Sequence, residues 1–473
     1  MTITELRKKF IEGSYTPSDA YRDMRRVITE KDPEIHAFLE VFDSGEEEAR
    51  LATEQYAKEG DNAPVLLGMP LAIKNNILIK GKKTTAASKI LANYVAPYDA
   101  TVIERLKKEG AIFIGATNLD EFAMGSSTEN SAFGVTKNPH DLSRVSGGSS
   151  GGSGAAVAMG ASVAALGTDT GGSVRQPSSF CGNIGFKPTY GRVSRYGLIA
   201  MGSSLDQAGT FTNSVEDAEI LFTVISGKDV YDATTINPDT YPTVPQKETY
   251  TIGIPRDFLI NGVDDDVLAT FYDQVETLKK LGHTIVDVSL PLMQKGLAAY
   301  YIVMPAEVSS NLARYDGMRF GLRVEGDNLL EDYMKTRAQG FGEEVKRRIL
   351  LGTYVLSAGY YDAYYGKAEM VRTMMREELD EVFKTVDLIM TPTAPTPAFK
   401  IGEKKDPLSM YLADIFTVSV NLTGVPAISI PSGTVEREGI ALPVGVQYIA
   451  PHTGDERLFD FGKKIYDQKN HIV

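Results

Sequence analysis

The chain has 473 residues, 42 % of them hydrophobic and 23 % charged, which fits a soluble globular protein long enough to bury a large core. A net charge of −13 argues against a protein that grips RNA or DNA alone, because neutralising phosphates needs basic surface. A single cysteine, Cys181, excludes an intramolecular disulfide framework or a cysteine-built zinc site, and His36, His140, His283, His452 and His471 carry no metal-ligand spacing.

Read from the N-terminus, the first residues lack the apolar core of a secretory signal, which predicts a cytoplasmic chain. Residues 1–60 read as a helical segment, with Leu6, Phe10, Ala37, Phe38, Leu39 and Val41 on apolar faces and a helix start at Thr16-Pro17-Ser18-Asp19. From Val65, short apolar runs alternate with helical ones (LLGMPLAI, TVIERLKKEG, AIFIGATN, AAVAMGASVAALGTD), which predicts an α/β layered fold. The longest apolar stretch, Ala155 to Gly167, is too short to span a bilayer. It reads instead as a buried helix between two glycine–serine turns. Residues 228–250 read as a surface connection. A strand at Ile252–Pro255, a helix at Asp264–Leu281 and a strand at Thr284–Val288 follow, then a helical excursion over about 291–380. A last strand pair is expected near Leu388–Thr391 and Ala441–Ile449. The expected organisation is the segment 1–60 followed by one large domain over 61–473.

Ser146 to Gly154, SGGSSGGSG, has the composition of a flexible linker. Its context argues otherwise, since it runs into an apolar stretch and is followed by a second glycine motif, Gly167 to Arg175. A phosphate loop would need a Lys–Ser/Thr pair after the glycines, and none is present. A nucleophilic serine does need glycines beside it, because backbone N–H groups must point at a developing oxyanion. Asp169-Thr170-Gly171-Gly172-Ser173 fits, with Ser173 as nucleophile and Thr170, Gly171 and Gly172 as oxyanion donors.

Serine also needs a base. His140 lies nearest in sequence, but its Lys-Asn-Pro-His context suits a surface loop equally well. Lysine is the other choice, and its ordinary pKa of about 10.4 must then be lowered by burial or nearby positive charge. Lys74 closes the apolar run Met69–Ile73 and precedes uncharged Asn75 and Asn76. Taken alone it could also be an exposed strand-end lysine. Cys181 has no recognisable histidine partner and reads as structural, packed under the serine loop.

Three blocks then fall into a known order: Gly68-Met69-Pro70-Leu71-Ala72-Ile73-Lys74, Gly147-Gly148-Ser149-Ser150-Gly151-Gly152-Ser153 and Asp169-Thr170-Gly171-Gly172-Ser173. They resemble the signature elements of the amidase signature family. The resemblance implies a large mixed, mostly parallel β-sheet covered by helices on both faces. It also implies Ser173 as the acyl-forming nucleophile, Ser149 as a bridging serine after a cis peptide at Gly148, and Lys74 as general base.

Further blocks, among them Asn118–Gly125, Lys187–Ser194, Ser309–Gly317, Glu344–Ile349 and Gly359–Tyr365, are similar to the glutamine-hydrolysing subunits of tRNA-dependent amidotransferases. That narrower resemblance implies glutamine as substrate, with Arg348 on its α-carboxylate, Asp414 on its α-amino group and Tyr300 beside them. A zwitterion calls for one fixed cation and one anion, and arginine offers a bidentate fork. Whether Arg347 or Arg348 and Tyr300 or Tyr301 faces the substrate stays open, and Asp414 could instead be a helix N-cap. No cofactor or metal is expected in this chain. ATP and magnesium are expected in a partner B subunit, which would take the ammonia and hold most of the charged tRNA, while a C subunit clamps the two. The alternatives are a stand-alone amidase on aliphatic or aryl amides and a non-catalytic subunit with a relic site. The sequence departs from the family at Asn75, commonly Asp, at Thr210, often Pro, and at Thr423, often Ala.

Overall fold

Short apolar runs without a 3.6-residue period become strands, and the longer periodic runs become helices packed on them. The computed structural model describes residues 1–241, 247–259 and 262–470. His471 and residues 242–246 of the expected surface connection lie outside them. In chain order the strands begin with β1 (Phe38–Val41), β2 (Pro70–Lys74), β3 (Ile112–Thr117), β4 (Lys137–Asn138) and β5 (Asp141–Val145). They continue with β6 (Ala164–Asp169), β7 (Ile184–Lys187), β8 (Gln207–Thr212) and β9 (Thr251–Ile254). The last four are β10 (Thr284–Asp287), β11 (Leu388–Pro392), β12 (Ala427–Arg437) and β13 (Ile440–Ile449). Eleven of these form one sheet in the order β1-β3-β2-β6-β8-β7-β12-β13-β11-β9-β10, while β4 and β5 pair separately.

The sheet is mixed, as expected, but parallel pairing is in the minority. Neighbours β3–β2, β2–β6, β11–β9 and β9–β10 run parallel, and the other six junctions of the sheet run antiparallel. The expectation of a mostly parallel sheet is corrected on that point. Parallel neighbours need a helical crossover, such as Thr101–Lys108 between β2 and β3 or Asp265–Lys280 between β9 and β10. By contrast, β12 and β13 are joined by the two-residue turn Glu438-Gly439, with φ of 56° and 81°, which returns the chain antiparallel.

Successive residues of a strand point to opposite faces, and β7 shows what each face carries. Gly185 packs against Ser178 of helix Arg175–Cys181. Its neighbour Phe186 packs at 5.2 Å on Phe222 and 4.5 Å on Phe459, from helices Val215–Ile225 and Asp455–Asn470. Helices therefore cover both faces.

Two expected helical stretches contain strands. Within residues 1–60, helices Ile3–Glu12, Pro17–Ile35 and Gly45–Glu59 form, with Thr16 and Asp19 in a capping box at the expected start. Phe38–Val41, however, pairs antiparallel with β3 as an edge strand. The preceding helix stops at His36, whose φ is 62°, and the Asp32 carboxylate accepts from the N–H of Ala37 at 2.6 Å. The apolar run Ala155–Gly167 is also divided. Helix Gly151–Ala158 ends before Gly160, whose φ is 80°, and Ala164 onward is the strand β6 between β2 and β8. The excursion is helical as expected, with Gly296–Asn311, Leu329–Gly340, Glu343–Val355 and Lys367–Val382. Strands β11 and β13 pair as expected.

Candidate active site

Strands β2 and β6 are parallel neighbours, so their C-terminal ends emerge on the same edge of the sheet. One ends in Lys74 and the other runs into the turn 170–173. Such an edge is where open α/β sheets bind ligands.

Lys74 is fully buried. Its Nζ donates to Ser149 Oγ at 2.8 Å and to Thr168 Oγ1 at 2.8 Å. Burial lowers its pKa to about 7, against the opposing pull of Asp120, Asp169 and Asp206. A lysine so placed can be neutral near physiological pH and accept a proton. Thr168 was not singled out by the sequence reading, although it lies inside the second glycine motif. Asn76 Nδ2 donates to the same Thr168 hydroxyl at 3.0 Å, which fixes it. Asn75 looks elsewhere: its Oδ1 accepts from Thr85 N and Oγ1, both at 2.7 Å, and its Nδ2 donates to Lys83 O at 2.9 Å.

The Gly148–Ser149 peptide bond is cis, as the resemblance implied. Ser149 is buried, Ser173 is 7 % exposed, and the two segments are tied by Ser150 N donating to Ser173 O at 3.2 Å. Among the described residues no hydrogen bond links the two hydroxyls directly, and the Ser173 hydroxyl has no partner.

Below the turn sits a buried ion pair. Asp169 accepts from Arg175 Nε at 3.0 Å and Nη2 at 2.9 Å, and from Asn421 Nδ2 at 3.0 Å. Burial alone would raise the Asp169 pKa, yet the charge and hydrogen bonds of Arg175, with Lys187 and Asn421, hold it well below the carboxylate range. The same carboxylate accepts from Gly172 N at 2.9 Å. This corrects the expected oxyanion donors, because the Gly172 N–H is already committed. Among the described residues the N–H groups of Thr170, Gly171 and Ser173 have no acceptor, so these three are the open donors. Gly172 has φ 130°, and a Cβ there would stand 2.2 Å from Thr417 Oγ1, so glycine is required. A Cβ on Gly171 would meet the Tyr300 ring at 2.7 Å, which places Tyr300 directly on the nucleophile turn.

Burial separates the two arginines but not the two tyrosines. Arg348 is 4 % exposed and Arg347 44 %, so Arg348 faces the interior and Arg347 belongs to the solvated helix face. Arg348 Nε donates to Glu344 Oε1 at 2.7 Å, and Nη1 lies 3.6 Å from the sulfur of Met304, one helical turn after Tyr300. Tyr300 and Tyr301 are neighbours on the helix Gly296–Asn311. Their rings meet edge to face at 5.2 Å; Tyr300 covers Gly171, while Tyr301 stacks on Tyr411 at 3.8 Å beside the Arg348 guanidinium. Tyr411 donates to Glu344 Oε1 at 3.0 Å. Tyr411 was not named from sequence and Glu344 only as the start of a block, since their roles depend on packing between distant segments.

Asp414 is not an N-cap. Ser126 Oγ donates to its Oδ2, and its Oδ1 is buried without a hydrogen-bond partner among the described residues. Burial pushes its pKa up to about 7, against the Ser126 hydrogen bond and the Arg348 charge. Thr417 links it to the turn, its hydroxyl lying 2.6 Å from Gly171 O and 3.1 Å from Asp414 O. Cys181 lies under the serine loop, as read from sequence, with Sγ 3.3 Å from Ser146 O; burial raises its thiol pKa. The ring of exposed His140 lies 3.0 Å from the Cys181 carbonyl.

A sheet of this order with a Lys–Ser–Ser edge defines a class, and comparison with known proteins agrees. The sequence profile of the Amidase family matches residues 20–459, and the chain belongs to that family. Within it, the chain is 52 % identical to the A subunit of the Glutamyl-tRNA(Gln) amidotransferase of Thermodesulfovibrio yellowstonii, covering 95 % of this chain and 93 % of that protein. It is 43 % identical to the crystal structure of the Thermotoga maritima protein of the same name, with a TM-score of 0.79 over 97 % and 93 % of the two chains. A solved amidase only 28 % identical superposes with a TM-score of 0.83 over 99 % and 100 %. The fold is thus shared across the family, and sequence similarity makes the finer distinction.

Proposed function

We propose that the chain is the glutamine-hydrolysing subunit of a tRNA-dependent amidotransferase. The observation that carries this reading is the pair of opposite charges beside the nucleophile turn. A buried guanidinium, Arg348, and a buried carboxylate with one unpartnered oxygen, Asp414, complement the two ends of a free α-amino acid. An uncharged amide would leave both groups buried without a ligand.

In this reading glutamine places its side-chain amide over the turn. Neutral Lys74 takes the Ser149 proton as Ser149 takes that of Ser173, and Ser173 Oγ bonds to the amide carbon. The N–H groups of Thr170, Gly171 and Ser173 hold the oxyanion. Lys74 returns the proton through Ser149 to the leaving nitrogen, the C–N bond breaks, and ammonia departs. Water then attacks the ester, giving glutamate and free Ser173. The ammonia passes to a B subunit that uses ATP and magnesium to amidate the carboxylate of Glu-tRNA(Gln), Asp-tRNA(Asn) or both, with a C subunit holding the two together. Identity to proteins named as the A subunit of such an enzyme supports the assembly.

The test is kcat/KM for glutamine against a small uncharged amide, measured on the full chain with and without its partner subunits. The reading expects glutamine to be preferred by at least about 100-fold, the scale of one fixed charge pair. A preference for the uncharged amide, unaffected by partners, marks a stand-alone amidase instead.

A further inference from the structure

Glu121 lies far in sequence from the proposed substrate contacts and takes no part in the steps above, yet it grips the helix that carries Arg348. That helix, Glu343–Val355, begins at Gly342, and no local side chain caps it. The first N–H groups of a helix lack internal partners and need an outside acceptor. Glu121 supplies one from 221 residues away, its Oε2 accepting from Gly342 N at 2.8 Å. Its other oxygen accepts from the Ser88 hydroxyl, which also lies 3.2 Å from Gly340 O. The adjacent Phe122 ring packs edge-on against Phe341 at 5.6 Å. A Cβ on Gly342 would stand 2.3 Å from Glu121 Oε2, so this turn is built for that carboxyl.

The same loop holds the other half of the site. Asp120 N donates to Ser149 O at 3.1 Å, and the Asp120 carboxylate accepts from Thr128 N at 2.9 Å and Asn130 N at 3.1 Å. This keeps Ser126 in reach of Asp414. Residues 120 and 121 therefore join the bridging serine to the two charged contacts, Arg348 through Glu121 and Asp414 through Asp120.

We infer that Glu121 is a positioning residue for glutamine recognition, setting the height and tilt of the Arg348 helix over the nucleophile turn. This rests on the proposed glutamine reading. Its specific consequence is that Glu121 governs affinity for the α-carboxylate end of the substrate and not the chemistry at Ser173.

The test compares Glu121→Met with Glu121→Gln in the full chain, both close to the native side chain in length. Glutamine can reproduce the hydrogen bonds, its oxygen accepting from Gly342 and its amide donating to Ser88, whose proton turns to Gly340. Methionine cannot. Glu121→Met should raise KM for glutamine by about tenfold, the scale of a lost buried hydrogen bond, with kcat changed less than about threefold. Glu121→Gln should restore KM to within about threefold of the native value. The inference is overturned if Glu121→Met leaves KM unchanged. It is equally overturned if kcat and the rate of covalent labelling of Ser173 by a phosphonofluoridate fall along with it, which marks general damage. Arg348→Ala serves as the control. If it too leaves KM unchanged, the glutamine reading fails; if it raises KM while Glu121→Met does not, only the role of Glu121 fails.

Discussion

The nucleophile turn and the charged recognition wall stand side by side but are built on opposite principles. Under the turn, the charged groups are matched: Asp169 is held by Arg175, Asn421 and Gly172, and Lys74 by Ser149 and Thr168. On the wall, matching is left incomplete. Asp414 keeps a buried oxygen without a partner among the described residues, and Arg348 is held by Glu344 at one edge of its fork. Buried groups left unmatched weaken a fold, so a wall of this kind is where a ligand completes the structure. The contrast predicts that changes under the turn cost stability or chemistry, whereas changes on the wall cost affinity.

The largest expected effect is on chemistry. Ser173→Ala and Lys74→Ala should each lower kcat for glutamine by at least about 10³-fold, measured as ammonia release. Equal losses in the single and double variants would show the two acting as a unit.

Next comes stability under the turn. Asp169→Ala leaves Arg175 buried and unpaired, and chemical denaturation should record a loss of about 3–5 kcal/mol. Pairing holds the Asp169 pKa below its ordinary 3.8, so this contribution is present above about pH 4 and fades as pH falls below it. On the wall the pattern should invert. Arg348→Ala should raise KM for glutamine by about 100-fold, and Arg348→Lys should recover only part of it, because lysine lacks the planar fork. Asp414→Asn should also raise KM, with stability changed by less than about 1 kcal/mol, since Oδ1 has no partner among the described residues and the remaining oxygen can still accept from Ser126. A large stability loss in Asp414→Asn would erase the contrast.

The smallest expected effect concerns the base. With Lys74 near 7, kcat/KM should fall as the solution is acidified through that pH, because the protonated lysine cannot accept a proton. Asn75→Asp adds a carboxylate next in sequence to the lysine and should move this acid limb up by roughly half a unit to one unit. An acid limb that stays put or moves down in the variant contradicts the assignment of Lys74.

Much of the turn was legible in the sequence, because its chemistry is local. Glycines beside a serine, an apolar run ending in a lysine and the order of three blocks are written in consecutive residues. The allocation of hydrogen bonds was not. Gly172 reads as an oxyanion donor until the fold brings Asp169 back onto its N–H. Arg347 and Arg348 are indistinguishable in a basic run, and only packing against Met304, Tyr301 and Tyr411 turns one inward. Phe38–Val41 and the end of the run Ala155–Gly167 read as helical because short apolar segments carry no decisive period, and their partners β3, β2 and β8 lie elsewhere in the chain. Glu121 sits in a recognisable block, yet its contact with Gly342 spans 221 residues and left no local trace.

The central claim is that Ser173 carries the acyl group of glutamine at a turn whose neighbouring wall recognises the amino acid. Rapid acid quenching of the full chain with isotope-labelled glutamine, followed by peptide mass spectrometry, tests it directly. The account predicts a glutamyl ester on the peptide containing Ser173, absent in Ser173→Ala and formed only at much higher glutamine concentration in Arg348→Ala. A glutamyl adduct on any other residue, or undiminished glutamine hydrolysis by Ser173→Ala, would contradict it.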